Sequence, residues 1–93
     1  MIKSFRDKDT QNVFERRRVR RWTTQPQRAA LRKLLILDVA ETLDDLRRPP
    51  DTRLEKLSGD RAGECSVRIN DQSRICVRWR DGDAYEVEIA DYH

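Results

Sequence analysis

Ninety-three residues, 40% of them charged and 37% apolar, suffice for one two-layer domain spanning residues 1–93 and leave no room for a second. The net charge of +3 conceals an asymmetry: residues 1–33 hold eleven Lys or Arg against three Asp or Glu, residues 34–93 hold nine against fourteen, and arginine outnumbers lysine sixteen to four. An arginine-rich half points to a polyanionic partner, with compositional bias an equal alternative, and the absence of any run of roughly 18 apolar residues excludes a membrane-spanning helix.

The opening "MIKSFRDKDT" has no apolar signal core, which leads to the expectation of a cytoplasmic protein without membrane association. Within it, "MIKSF" alternates Ile2 and Phe5 with polar residues and predicts a short strand. "DKDTQNVFERR" predicts a short helix started by Asp7 or Asp9, with Val13 and Phe14 as its apolar contacts. "RRRVRRWTTQP" packs five arginines into six positions and ends on a helix-start signal; it fits a solvated connector as well as a phosphate-contacting loop. From Pro26, "PQRAALRKLLILDVAETLDDLRRPP" places Ala30, Leu31, Leu34, Leu35, Leu37 and Leu43 on one apolar stripe, predicting a single main helix stopped by the prolines.

A sheet to cover that stripe follows. "TRLEKL" predicts a short strand and "SGDRAG" a turn, after which "ECSVRIN", "SRICVRWR" and "DAYEVEIA" predict three strands separated by "DQ" and "DGD" turns. Matching apolar faces sets Cys65, Val67 and Ile69 opposite Val77, Ile75 and Ser73, and sets Trp79, Val77 and Ile75 opposite Tyr85, Val87 and Ile89. Trp22 and Trp79 are expected in packing roles. Cys65 and Cys76 fall on opposite faces and are not expected to bridge, and no metal-ligand spacing accompanies them.

The same register places Arg68 opposite Arg74 and Arg78 opposite Glu86 on the other face. Arg78 with Glu86 is explained as a cross-strand ion pair, whereas directly opposed arginines are destabilising unless something negative lies between them, and a bound phosphate would serve. Arg74 also faces Ala90, so Asp91, Tyr92 and His93, the only histidine, follow beside the arginine pair. Taken alone, a lone histidine in the closing "EIADYH" is more often frayed than catalytic, and Tyr92 equally fits packing against a helix edge.

"MIKSF", "LSGDRAG" followed by "SVRIN", "RICVRW", "DGDAYEVEI" and "DYH" occur in order over nearly the whole chain, with the weakest agreement in residues 8–30. This pattern resembles the HigB branch of the RelE-type bacterial toxins. The resemblance implies an α+β, microbial-RNase-like fold, with two N-terminal helices on a mainly antiparallel sheet of about four strands. It implies a ribosome-dependent mRNA interferase that cleaves mRNA in the A site of the 30S subunit. Its expected partners are the ribosome, mRNA and a HigA-like helix-turn-helix antitoxin, through which alone it would meet DNA. It also implies catalytic roles for Asp91, Tyr92 and His93, and RNA-phosphate contacts for Arg68, Arg74 and Arg78. Where many relatives carry a histidine and a lysine, this chain has Glu55 and Ser58; where relatives carry aromatic residues, it has Glu64, Cys65 and Ser73.

RNA can be cut without metal or cofactor when its own 2′-hydroxyl attacks the adjacent phosphate. Arginines suit the charge that builds on the phosphate, and histidine suits proton transfer near neutral pH. Arg68 and Arg74 are therefore the expected clamps and His93 the proton-transfer group. Asp91 would orient His93 or act as base, Tyr92 would stack on a base or donate a hydrogen bond, and Glu55 is a secondary base. The competing expectations are a catalytically silent relative that only binds antitoxin or RNA, and a non-ribosomal RNA-binding module.

Overall fold

The structure is a computed structural model that describes residues 1–19, 24–47 and 53–91. Among them are helices α1 (Lys8–Phe14), α2 (Thr24–Val39) and α3 (Leu43–Arg47), and strands β1 (Glu55–Lys56), β2 (Glu64–Arg68), β3 (Ser73–Arg80) and β4 (Asp83–Asp91). A 3-10 turn at Gly59–Arg61 joins β1 to β2. The strands form one antiparallel sheet in the order β1-β2-β3-β4. Trp22, the double proline and the residues after Asp91 lie outside the described residues.

α1 starts where Asp7 accepts the Thr10 amide at 2.7 Å, so one of the two predicted caps is the real one. Its C-terminus is a Schellman turn: the Arg17 amide reaches the Asn12 carbonyl at 2.7 Å and the Arg16 amide reaches Val13 at 3.0 Å. The left-handed residue this turn requires is Arg16, at φ 63°, where glycine would be free of steric cost.

The expected single main helix is two. After Val39 the chain breaks, because Asp45 Oδ2 accepts the amides of Glu41 (2.9 Å) and Thr42 (3.1 Å) while Thr42 Oγ1 accepts that of Asp45 (3.3 Å). This reciprocal capping box starts α3. The break shifts the stripe: Ala30, Leu34 and Leu37 are buried, Ile36 packs beside them, and Leu35 is 38% exposed. With Val13 and Leu46 they cover Cys65, Val67, Ile75, Val77, Ala84, Val87 and Ile89 on the sheet's apolar face, and Trp79 packs at its margin. Cys76 is equally buried but belongs to the opposite face, and both thiols are free. Burial pushes the Cys65 thiol up, so it stays protonated at neutral pH.

The β3–β4 hairpin departs from the predicted register. Ile75 does face Ile89 and Arg74 does face Ala90, but Trp79 faces Ala84 and Arg78 faces Tyr85. The turn explains the change. Asp81 (φ 52°) and Gly82 (φ 81°) form a two-residue loop with both central residues left-handed, which fixes Arg80 opposite Asp83. That pairing is one residue out of phase with the apolar pattern further along. A bulge absorbs the difference: Glu86, at φ 52°, is the extra residue, and Tyr85 moves to the face that carries Arg78.

The predicted first strand is present as two parallel bridges, Ile2 to Ala84 and Phe5 to Val87, along the outer edge of β4. Ser4 supplies its hydroxyl to the Glu86 amide at 2.9 Å and its carbonyl to Val87 at 3.1 Å. Thr10 Oγ1, fully buried, accepts the Ile89 amide at 3.0 Å. The β4 edge thus finds its hydrogen-bond partners within the chain.

Arg16→Gly should stabilise the protein by about 0.5–1 kcal/mol, because it removes a left-handed side chain from the helix end. Thermal unfolding would read this as a Tm higher by roughly 2–6 °C; an unchanged or lower Tm would show that the Arg16 side chain contributes more than its backbone costs.

Candidate active site

The face of the sheet away from the helices carries the predicted RNA-contacting residues. Arg68 lies directly opposite Arg74, as the sequence suggests. Each guanidinium nevertheless has its own acceptors. Arg68 pairs with the exposed carboxylate of Asp71. Arg74 donates from Nε to Ser66 Oγ at 2.8 Å and from Nη2 to the carbonyls of Arg53 (2.6 Å) and Ser66 (3.3 Å). The opposed arginines thus find their acceptors within the chain, where carbonyls, a hydroxyl and a carboxylate fill the role expected of a bound phosphate.

Arg74 is accordingly fixed rather than free to swing. Its side chain is only 15% exposed, and Ser66, which holds it, is buried. Glu55 on β1 is brought to the same place, with Oε2 at 3.9 Å from Arg74 Nη2. Asp91 ends β4 with its backbone opposite Ser73, the neighbour of Arg74. Tyr92 and His93 lie outside the described residues. Arg78 is further along β3, where its Nε meets Glu86 Oε2 at 3.0 Å; the predicted ion pair forms, although its register partner is Tyr85.

Between these two regions lies an ion cluster that sequence reasoning missed. Arg6, arriving from the N-terminal segment, meets Glu88 at 2.9 Å and both Glu64 and Glu86 at 3.4 Å. Arg61, from the 3-10 turn, meets Glu88 at 2.8 Å and Glu64 at 3.8 Å. Burial works to lower the Arg6 pKa, but the charges of Glu88 and Glu64 more than offset it, and the guanidinium is held above its ordinary value. The hydrogen bond to Glu88 does the same for Arg61. A signal existed: Glu64 and Glu88 occupy outward positions beside Ser66 and Cys76, where a buried carboxylate such as Glu64 requires a cationic partner. The partners themselves come from distant segments. Among the described residues, no group of three or more His, Cys, Asp or Glu is arranged to hold a metal ion.

Residues 3–93 match the HigB-like toxin family, described as the RelE-like toxin of the type II toxin-antitoxin system HigB. The chain belongs to the HigB-like toxin family. Toxin HigB-1 of Vibrio cholerae serotype O1 is 41% identical over 85 residues, covering 90% of each chain. Endoribonuclease HigB of Proteus vulgaris is 32% identical over 93 residues, covering 100% of both. Two solved structures share the fold at 20% identity: the YoeB dimer from Staphylococcus aureus, with TM-score 0.55 over 99% of this chain and 94% of that one, and the YoeB/ParE toxin from Agrobacterium tumefaciens, with TM-score 0.53 over 99% and 96%. As a HigB-like toxin of a type II system, the protein has an antitoxin as its counterpart. No helix among the described residues is long and apolar enough to cross a membrane.

Within this HigB-like chain, Glu64→Ala should cost about 1–3 kcal/mol in urea unfolding. The substitution takes one of two shared carboxylates from Arg6 and Arg61, and the remaining contacts to Glu88 and the partial exposure of both guanidiniums moderate the loss. A change below about 0.5 kcal/mol would show that Glu88 alone holds both arginines.

Proposed function

We propose that this toxin is a metal-independent endoribonuclease that cuts mRNA in the ribosomal A site, with a HigA-like helix-turn-helix antitoxin as its inhibitor. The observation that carries the reading is the fixed Arg74 guanidinium beside the end of β4, where the chain continues from Asp91 into Tyr92 and His93. The family match and the Proteus vulgaris relative, named as an endoribonuclease, support the activity.

The chemistry asks for three things. A base removes the proton of the 2′-hydroxyl, whose oxygen then attacks the adjacent phosphorus. Cations neutralise charge on the non-bridging oxygens, and an acid protonates the departing 5′-oxygen, leaving a 2′,3′-cyclic phosphate and a 5′-hydroxyl. Arg74, already oriented by Ser66 and the Arg53 carbonyl, supplies a preorganised clamp with Arg68 beside it. His93 carries a proton, Asp91 orients it or acts as base, and Glu55 is the second base, within reach of Arg74. Tyr92 stacks on a base or donates a hydrogen bond.

A specific observation favours a second reading. Arg68 and Arg74 are each satisfied within the chain, as a silent RNA- or antitoxin-binding relative would allow. Removing His93 separates the two. The enzyme reading expects the truncated chain to lose cleavage of translated mRNA by about 10²–10⁴-fold and to stop arresting growth, and Arg74→Ala to lose about 10²–10³-fold. A truncated chain that cuts and arrests like the parent would overturn the catalytic assignment. Equal cleavage of naked and translated RNA at the same positions would overturn the A-site assignment.

A further inference from the structure

The bulge at Glu86 does more than reconcile two registers. Without it Tyr85 would face Trp79 on the apolar side; with it Tyr85 stands opposite Arg78 on the arginine-bearing face. Arg80, two residues further along β3 and on the same face, lies over the Tyr85 ring at 5.9 Å from its centroid. Ser4, Arg78, Arg80, Tyr85 and Glu86 line an open hollow of about 420 Å³. We infer that this hollow is a second RNA subsite, in which an unpaired nucleobase stacks on Tyr85 and Arg78 and Arg80 hold the flanking phosphates.

The inference rests on the RNA-cutting reading and extends it from Arg78, already expected to contact RNA phosphate, to Arg80 and Tyr85, which no sequence-based expectation of the site included. Three observations carry it. The ring is only half-buried, and its contact with Arg80 is near the outer limit for cation–ring contacts, so a base displaces little of it on arriving. The lining contains a π-face, two guanidiniums, a hydroxyl and a carboxylate but no aliphatic side chain, which suits a single strand better than the apolar anchors of a protein partner. Finally, the left-handed backbone at Glu86, unfavourable for a side-chain-bearing residue, is what delivers the ring, and such strain is characteristic of working surfaces.

Arg78 is four residues from Arg74 along β3, about 13 Å at the rise of a strand. A base on Tyr85 therefore belongs to a nucleotide away from the one whose phosphate Arg74 clamps. Loss of the subsite should weaken binding and raise KM while leaving kcat nearly intact.

The full-length chain and its Tyr85→Phe, Tyr85→Leu, Tyr85→Ala and Arg74→Ala variants would be titrated into a labelled short single-stranded RNA of mixed sequence at low salt. Each would also be assayed for cleavage of translated mRNA. Tyr85→Ala and Tyr85→Leu should weaken RNA binding roughly 5- to 100-fold, whereas Tyr85→Phe, which keeps the ring, should stay within about twofold. Leucine keeps more of the apolar bulk than alanine, so an unfolded alanine variant leaves the test intact. The subsite is overturned if Tyr85→Leu binds RNA like the parent, if Tyr85→Phe loses as much as Tyr85→Leu, or if the parent binds no RNA. Cleavage unchanged by Arg74→Ala, with His93 also dispensable, would instead count against the RNA-cutting reading itself; silence of the Tyr85 variants alone removes only the subsite.

Discussion

Two registers compete in the β3–β4 hairpin, and the arginine-bearing face depends on how the chain settles them. The Asp81-Gly82 loop holds Arg80 opposite Asp83, while the apolar residues at the far end hold Ile75 opposite Ile89. Both demands are strong: the first is set by backbone twist and the second by burial of an entire strand face. One surplus residue satisfies both. Ile89 and Val87 thereby remain in the core, Arg74 remains opposite Arg68, and Tyr85 turns outward.

Charge on that face is divided into an internally neutralised middle and two ends. In the middle, Arg6 and Arg61 are committed to Glu64 and Glu88, and the burial of Glu64 makes the commitment hard to reverse. At one end Arg74 is anchored by Ser66 and the Arg53 carbonyl, with Arg68 beside it. At the other, Arg78 and Arg80 flank Tyr85, with Glu86 restraining Arg78. Counting arginines therefore overstates the positive field an approaching phosphate meets.

Much of this was legible in the residues. Alternation gave β2, β3 and β4, the "DG" pair gave their turn, and Asp7 was available as a cap. The pairing of Arg68 with Arg74 followed from burying Val67 and Ile75. The α2–α3 break was hidden because Leu43 remains near the apolar stripe while Thr42 and Asp45, ordinary residues on a helix surface, act as a capping box. The bulge was hidden because turn and pattern were each plausible, and only their incompatibility by one residue revealed it. The acceptors around Arg74 include a backbone carbonyl, which composition does not disclose. For Tyr92 and His93 the motif remains the ground for their proposed roles.

The parallel bridges between the first residues and β4 have a consequence in time. Phe5 meets Val87, and Arg6 reaches Glu88, across more than eighty intervening residues. Contacts so distant in sequence cannot form until the last strand has been synthesised and has left the ribosome. The ion cluster and the outer strand edge are therefore late acquisitions. While the chain is still being made, the segment that later closes the sheet has nothing to close upon, and a nascent toxin has no finished arginine face.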